Sequence, residues 1–251
     1  MTARRVGVAA ARDDEVQALV FDVFGTVVDW RRGVARALAE FLPAHGRPDL
    51  DPFALADAWR RRYQPAMEEV RSGRRPFTRL DVLHRENLEA VLRDHGMDPA
   101  AMAEADLDHL NRAWHRLDPW PDVLLGLYRL RRRYFLAPLS NGNILLLANM
   151  AKRAGLPWDA ILGAEPAQAY KPDPLAYTRT AEILALRPHQ LCLVAAHNAD
   201  LKAARAAGLA TAFVPRPMEH GPGQRIDLAP SEAWDWVAED FCDLAARLAA
   251  A

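Results

Sequence analysis

The sequence has few cysteines, no long apolar run and almost no net charge. Two cysteines in 251 residues, Cys192 and Cys242, form neither a disulfide framework nor a cysteine-rich metal cluster. No stretch approaches the ~18 consecutive apolar residues of a membrane-spanning helix. The formal net charge of -1 creates no field that would attract nucleic acid or an anionic membrane. We therefore expect a small-molecule partner, with no nucleic-acid and no membrane partner.

The remaining composition is that of an ordinary globular protein, with 51% hydrophobic and 26% charged residues. The length suits one large domain, or a core domain that carries a smaller insert. Residues 1–16 carry bases and small side chains but lack the apolar core of a secretion signal. We expect 1–16 to be a disordered or lightly packed extension and the protein to be cytoplasmic.

Five short apolar runs predict strands of a parallel sheet, because they lack the alternation of half-exposed strands and suit burial on both faces. They are QALVF (17–21), YFLAPL (134–139), AILGA (160–164), LCLVAA (191–196) and TAFVP (211–215). Helical patterns lie between the later runs, at 143–154, 174–186 and 199–207. A final helix is expected from Ser231 as N-cap, with Glu232 and Asp235 in its first turn. This alternation predicts a doubly wound, Rossmann-like α/β core.

The long segment 31–120 shows helical patterns and no strand signal. The patterns cover 33–45, 52–72, 77–95 and 99–115. A structureless loop of this length would be unusual in a compact domain, so the segment predicts an inserted helical domain. We expect a core domain formed by 17–32 and 121–251, with 33–120 as a helical cap domain.

Polar side chains follow four of the predicted strands, at the point where each run ends. In open α/β sheets, ligands bind beyond the carboxyl ends of the strands, so these side chains are candidates for one site. The set comprises Asp22 and Thr26, then Ser140, Asn141 and Gly142, then Lys171, and finally His197, Asn198 and Asp200. One such acid is often only a helix cap, but four sets at one edge predict an active site.

The order of the motifs DVFGT, SNG, YKPDP and an acid after the fourth strand resembles the haloacid dehalogenase superfamily, over about residues 17–240. The helical insert after the first motif resembles the cap domain of that superfamily. Its members include phosphatases, phosphonatases, ATPases and dehalogenases, so the resemblance alone does not identify the reaction.

Phe24 is the residue that separates these reactions. Phosphatases of the superfamily carry a second acid there, which protonates the leaving oxygen, and a phenyl ring cannot donate a proton. The longer strings FDVFGTVVDW, LSNG and YKPDPLAY resemble the type II (L-)2-haloacid dehalogenases. The resemblance implies hydrolysis of short 2-haloalkanoic acids of the haloacetate type, with fluoroacetate among the candidates, and it implies no metal or other cofactor.

Two alternatives stay open on the sequence. One is a magnesium-dependent phosphatase with its metal between Asp22 and Asp200, against which Phe24 counts. The other is a binding or regulatory protein on a retired catalytic fold, against which the retention of Asp22, Lys171 and Asp200 counts. The resemblance also implies a homodimer, although no apolar stripe identifies an interface.

The resemblance implies a role for each motif residue. Asp22 would attack the carbon that bears the halogen, giving an ester that water hydrolyses to a 2-hydroxy acid. Lys171 would keep Asp22 ionised, and Asp200 would orient Lys171 or the water. Further site residues would be Thr26 and Ser140 as hydroxyl donors, Asn141 as an amide donor to the halide, and Tyr177 as the counterpart of a family tyrosine.

Arg60 is the predicted halide or carboxylate ligand from the insert. It lies on an apolar helical stripe, four residues after Ala56, and an arginine on a buried face needs an anionic partner. An arginine that snorkels between the domains is the equal alternative. The run RSGRRP (71–76) is predicted to be a solvated turn. Phe24 and Trp30 are expected to form apolar walls of the site or ordinary core.

The fourth motif departs from the family pattern. Many of these dehalogenases have SSNAWD there, whereas this chain has AAHNAD, ending at Asp200. Aligned on Asp200, the family's serine becomes Ala195 and its asparagine becomes His197. Our hypothesis is that His197 and Asn198 together replace them, with His197 near the nucleophile or the hydrolytic water. The alternative is a structural hydrogen-bonding role for His197.

Overall fold

The computed structural model describes residues 15–250, so most of the predicted extension (1–16) lies outside the described residues. The strands of this part of the chain are β1 (Ala18–Phe21), β2 (Phe135–Ser140), β3 (Leu162–Gly163), β4 (Leu191–Ala195), β5 (Ala210–Phe213) and β6 (Trp236–Val237). They form one parallel sheet in the order β3-β2-β1-β4-β5-β6. The predicted doubly wound α/β fold is confirmed.

β1 lies in the middle of the sheet, because Phe21 pairs with Pro138 of β2 and with Val194 of β4. Every residue of β1 and β4 is buried. Alternate residues of β1 face opposite sides, so Leu19 packs in one hydrophobic cluster and Val20 in the other. Burial on both faces explains the continuous apolar runs, and the central position of β1 brings the residue after it to the middle of the carboxyl edge.

Helices cover the sheet and fill most of the chain between β1 and β2. They are α1 (Trp30–Ala44), α2 (Pro52–Arg61), α3 (Tyr63–Arg71), α4 (Leu80–Asp94), α5 (Glu104–Asn111), α6 (Val123–Leu130), α7 (Ile144–Ala154), α8 (Ala164–Ala167), α9 (Pro174–Ile183), α10 (Asn198–Ala206) and α11 (Phe241–Ala250). Short 3-10 helices occupy Pro99–Ala101, Arg112–Arg116 and Pro188–Gln190. No helix within 15–250 combines the length and apolar character needed to cross a membrane.

Helices α1 to α6 lie between β1 and β2 in the chain. Asp29 caps the start of α1, because the backbone N–H of Arg32 donates to its Oδ1 at 3.0 Å. The single helix predicted over 52–72 is two helices, since the chain breaks at Arg62 between α2 and α3. The cap boundaries at 33–120 stay a prediction.

The prediction of a final helix from Ser231 is wrong. The residues after Ser231 are irregular, Trp236–Val237 form the unpredicted strand β6, and the helix begins only at Phe241. Asp235 accepts hydrogen bonds from the backbone N–H of Thr211 at 2.8 Å and from its hydroxyl at 2.7 Å. These bonds hold the chain around Asp235 against β5. Strand pairing at the sheet edge is therefore favoured over the helix that the residues after Ser231 predict.

Candidate active site

A cavity of about 370 Å³ opens between the carboxyl ends of the strands and helices α2 and α3. Most of the predicted site residues line it, namely Asp22, Phe24, Arg60, Asn141, Lys171, Tyr177, His197 and Asp200. The rest of the wall is Tyr63, Gln64, Arg71, Pro172 and Ala199. The sheet topology therefore brings the separate motifs to one place.

The Asp22 carboxylate lies at the centre of the site and is bonded at both oxygens. Its Oδ1 accepts from Nζ of Lys171 at 2.9 Å, and its Oδ2 accepts from Oγ1 of Thr26 at 2.7 Å. Nδ1 of His197 lies 3.1 Å from the same Oδ2. Burial alone would raise the pKa of Asp22, but the charges of Lys171 and His197 outweigh burial and hold the pKa well below its usual range. Asp22 is therefore ionised.

Lys171 bridges two carboxylates, because its ammonium also donates to Oδ2 of Asp200. Oδ1 of Asp200 accepts from the hydroxyl of Tyr177 at 2.6 Å. Burial disfavours the charge on Lys171, but Asp200 and Asp22 outweigh burial and raise the pKa of the ammonium. Burial and the charge of Asp200 also raise the pKa of Tyr177, which remains a neutral donor. Lys171 is thus a permanent cation beside the nucleophile.

The two predicted hydroxyl residues have different surroundings. Thr26 donates to Asp22 and accepts from the backbone N–H of Ala196 at 2.9 Å, so it ties the nucleophile to the end of β4. Ser140 is fully buried, and its Oγ accepts from the backbone N–H of Gly142 at 3.1 Å. Within 15–250, Ser140 makes no hydrogen bond to Asp22, and its observed bond supports the turn after β2.

Two donors at the cavity wall suit an anion. Oδ1 of Asn141 accepts from the backbone N–H of Lys171 at 2.8 Å, which leaves the amide NH₂ for a ligand. The guanidinium carbon of Arg60 lies 4.0 Å from the Tyr63 ring centroid and 6.0 Å from that of Phe24. Nη1 of Arg60 is buried without a hydrogen-bond partner among the described residues. Because an unpaired buried donor is unfavourable, the site favours an anionic ligand at Arg60.

His197 lies between two carboxylates, of which only Asp22 was predicted from the sequence. Nε2 of His197 is 2.8 Å from Oε2 of Glu219, while Nδ1 faces Asp22. Burial would lower the pKa of His197, but Glu219 and Asp22 outweigh burial and raise the pKa well above its usual value. Burial would raise the pKa of Glu219, but the charge of His197 outweighs burial and lowers it. The free site therefore holds an imidazolium between two carboxylates.

Glu219 belongs to the loop after β5 and is only 1% exposed. Its Oε1 accepts from the indole N–H of Trp30 at 3.0 Å, so Trp30 holds a carboxylate as well as packing on Trp114. Gly25 makes room for this carboxylate, because a Cβ at Gly25 would lie 2.1 Å from Oε1 of Glu219. The available signal in the sequence was the position of Glu219 after the fifth strand, at the same edge as the other motifs.

Arg71 is a second cavity residue that was not predicted from the sequence. The sequence places it in a solvated turn, whereas it ends α3 and lines the cavity. Its Nη1 donates to the backbone oxygen of Lys171 at 3.1 Å, and its Nε pairs with Glu68 at 2.8 Å. The next two arginines, Arg74 and Arg75, pair with glutamates near the surface, as a solvated turn predicts.

The side chain of Asn198, a predicted site residue, forms its hydrogen bonds away from the cavity. Its amide nitrogen donates to Oδ1 of Asp227 at 2.8 Å and to the backbone oxygen of Ala229 at 3.0 Å. Its Oδ1 accepts from the indole N–H of Trp234 at 3.0 Å. Asn198 starts α10 and its side chain is directed at the 227–234 loop, whereas that of His197, one residue earlier, faces the cavity.

The donor set counts against the magnesium alternative. Within 15–250, no three His, Cys, Asp or Glu side chains are arranged to hold a metal ion together. The Lys171 ammonium lies between Asp22 and Asp200, where that alternative places its metal. Phe24 packs edge-on against Trp114 and offers no acid.

Comparison with known proteins agrees with this geometry. The haloacid dehalogenase-like hydrolases match residues 16–208. A defluorinating L-2-haloacid dehalogenase of known structure is 55% identical, covers 93% of this chain and 95% of its own, and superposes with a TM-score of 0.92. For another L-2-haloacid dehalogenase the identity is 47%, the coverage 94% and 100%, and the TM-score 0.89. The (S)-2-haloacid dehalogenase 4A of Burkholderia cepacia is 28% identical over 90% of this chain and 97% of that enzyme. The chain therefore belongs to the haloacid dehalogenase-like hydrolases and, within them, to the L-2-haloacid dehalogenases.

Proposed function

We propose that this chain hydrolyses the carbon–halogen bond of short L-2-haloalkanoic acids and produces 2-hydroxy acids. The observation that carries the proposal is an ionised Asp22 in a small cavity, with Phe24 where a phosphatase needs its proton donor. The 55% identical relative is named as a defluorinating enzyme, which makes fluoroacetate a substrate to test beside chloroacetate.

In the first step, an oxygen of Asp22 attacks the carbon that bears the halogen. The new O–C bond forms as the C–halogen bond breaks, and the electron pair leaves with the halide. Attack opposite the halogen inverts a chiral carbon. Lys171 and Thr26 hold the carboxylate through its two oxygens, and this fixed orientation favours an in-line approach.

Arg60 and Asn141 are the proposed halide ligands. Arg60 offers the buried Nη1 that has no acceptor within the described chain, and Asn141 offers its amide NH₂. The rings of Phe24 and Tyr63 lie beside the Arg60 guanidinium, and these apolar surroundings strengthen its attraction for the charge that develops on the halogen. A halide departs without a proton, so a phenyl ring at position 24 is compatible with the reaction.

In the second step, water attacks the carbonyl carbon of the Asp22 ester and frees the 2-hydroxy acid. Asp200 is a poor candidate to take the proton of this water, because its two oxygens already accept from Lys171 and Tyr177. We assign Asp200 the role of positioning Lys171, with Tyr177 fixing Asp200 in turn.

The decisive test is halide release in the presence of EDTA. Chloroacetate, fluoroacetate and L-2-chloropropionate are the substrates, with D-2-chloropropionate as the mirror-image control. We expect halide from the wild type and none from Asp22→Asn, because an amide cannot act as the nucleophile. No halide from any substrate, together with magnesium-dependent phosphate release from simple phosphate esters, would establish the phosphatase instead.

A homodimer and a cytoplasmic location are further proposals from the sequence. Size-exclusion chromatography with light scattering tests the first, since a dimer has twice the mass of one chain. Cell fractionation tests the second.

A further inference from the structure

We infer that His197 and Glu219 form the base that activates the hydrolytic water, and that the charge of Asp22 controls when this base is available. The proton of His197 leaves for solvent when Asp22 becomes an ester, so proton release accompanies halide release and precedes ester hydrolysis. This inference rests on the proposed function and adds the order of the proton transfers.

The geometry places the imidazole where such a base is needed. Nδ1 lies 3.1 Å from Oδ2 of Asp22, the group that becomes the ester. Nε2 lies 2.8 Å from Oε2 of Glu219, whose other oxygen is held by Trp30. The His197 side chain is 22% exposed and lines the cavity, so water and protons can reach it.

The charged groups around His197 come from several parts of the fold. Asp22 faces it from the end of β1, and Glu219 faces it from the loop after β5. On its own helix, α10, the nearby acid is Asp200, which is bonded to Lys171. On the Glu219 side, Nε2 of His220 lies 3.6 Å from Oε1 of Glu219, and Arg60 contributes a positive charge at longer range. Asp22 is thus the only one of these groups that both contacts the imidazole and changes charge in the reaction.

Ester formation removes one of the two negative charges that hold the proton on His197. The pKa of His197 then falls, since its Coulombic stabilisation by Asp22 is lost. Glu219 remains and keeps a proton on Nε2, so the proton that leaves is the one on Nδ1. The exposed lone pair therefore points at the ester, where the water must attack.

The proton count closes over both steps. In the first, Asp22 and substrate form the ester and release halide, and His197 releases one proton to solvent. In the second, Nδ1 takes a proton from the water as the O–C bond to the carbonyl carbon forms. The tetrahedral intermediate then breaks its bond to the alkoxide, which leaves as the hydroxy acid with the second proton of the water. Asp22 returns as a carboxylate beside a protonated His197, and the net products are hydroxy acid, halide and one proton.

The structure also shows why Glu219 can act from this loop. Gly25 has φ of +94° and no side chain, and any Cβ there would overlap the Glu219 carboxylate. Glu219 is therefore a positioning residue that fixes the tautomer of His197, while His197 is the proposed catalytic base. Among the acids of the described cavity wall, Asp200 already accepts from Lys171 and Tyr177 through its two oxygens. His197 with Glu219 is therefore the better candidate to take the proton of the water.

The test is a single turnover with excess wild-type enzyme and chloroacetate at pH 9, in weak buffer with a pH indicator. Quenched samples give halide and glycolate at each time. We expect one proton per halide, at the rate of halide release and before glycolate. Proton release that follows glycolate would overturn the inference and leave the dehalogenase proposal intact. A wild type that releases no halide would overturn the proposed function itself.

Two variants give an independent readout. Glu219→Gln should slow ester hydrolysis on the order of 10²-fold and accumulate an ester on Asp22, visible as a mass increase, with halide release much less affected. His197→Gln should also lose the early proton. Glu232→Gln, an exposed glutamate in ion pairs, is the matched control and should behave as wild type. The role of Glu219 would be overturned if folded Glu219→Gln hydrolysed the ester at the wild-type rate with an unchanged pH profile. If Glu219→Gln does not fold, the timing of proton release in the wild type decides the question.

Discussion

Two arrays of carboxylate, cation and carboxylate share Asp22. On one side Lys171 lies between Asp22 and Asp200, and on the other His197 lies between Asp22 and Glu219. The geometry is alike, but a lysine in such a place stays charged at every working pH, whereas an imidazole can change charge. The nucleophile thus has one permanent and one switchable cationic neighbour, which suits a reaction in which Asp22 loses and regains its charge.

Removing the permanent cation should have the largest effect. Lys171→Gln leaves Asp22 and Asp200 buried without their shared partner. We expect halide release to fall about 10³-fold, since preorganised charge around the nucleophile is lost. The free energy of unfolding should fall by about 3–5 kcal/mol, the usual result of removing one partner of a buried ion pair. Rapid-quench halide assays and urea unfolding measure the two effects, and unchanged halide release would show that Lys171 is not needed to activate Asp22.

The other array can be disturbed without touching a charged residue. Gly25→Ala places a Cβ against Glu219, in a backbone conformation with φ of +94°. The strain should lower the free energy of unfolding by about 1–3 kcal/mol. Ester hydrolysis should slow more than halide release, because only the His197 array is displaced. Gly223→Ala is the control, since a Cβ there meets nothing within 4 Å. An equal loss in both steps would argue against a role confined to hydrolysis.

A third change lies outside both arrays. Asn198→Ala removes the hydrogen bonds that hold the 227–234 loop to α10. We expect the free energy of unfolding to fall by about 1–3 kcal/mol, because the indole N–H of the buried Trp234 loses its acceptor. The rate per folded molecule should stay close to wild type. A large loss of ester hydrolysis in folded Asn198→Ala would show that Asn198 contributes to this step.

The smallest effect is the pH dependence of stability. The pKa of His197 is raised in the folded state, so its contribution is complete below the unfolded value of about 6.5 and is lost as pH rises through the folded value. The free energy of unfolding should therefore decline above about pH 6.5, and His197→Gln should remove this decline. The partial exposure of His197 weakens the pairing and keeps the effect small. Lys171 adds no slope in this window, because its raised pKa lies above the unfolded value of about 10.4.

The residues that were placed well from the sequence share one property. Asp22, Thr26, Lys171 and Asp200 belong to contiguous motifs that follow buried strands, and the structure brings all four together. Parallel strands end at the same edge of a sheet, so a local pattern is enough to predict that their next residues meet.

For the residues that were missed or misplaced, the deciding factor is the direction of the side chain. Arg71 follows a helix break, and its direction toward the cavity depends on how α3 packs over the sheet. His197 and Asn198 are adjacent in one motif, but the start of α10 turns one side chain to the cavity and the other to a loop. Sequence spacing cannot distinguish two such neighbours before the helix axis is known.

The order of apolar runs and motifs was sufficient to predict the α/β fold, the dehalogenase resemblance and the nucleophile, because each of these depends on contiguous residues. The pairing of His197 with Glu219 required the tertiary structure. It depends on a loop that follows β5, on the indole of Trp30 and on the space that Gly25 leaves, and these come together only when the chain is folded. Glu219 and Asp22 then hold the proton on His197, so the protonation of His197 is a property of the assembled site.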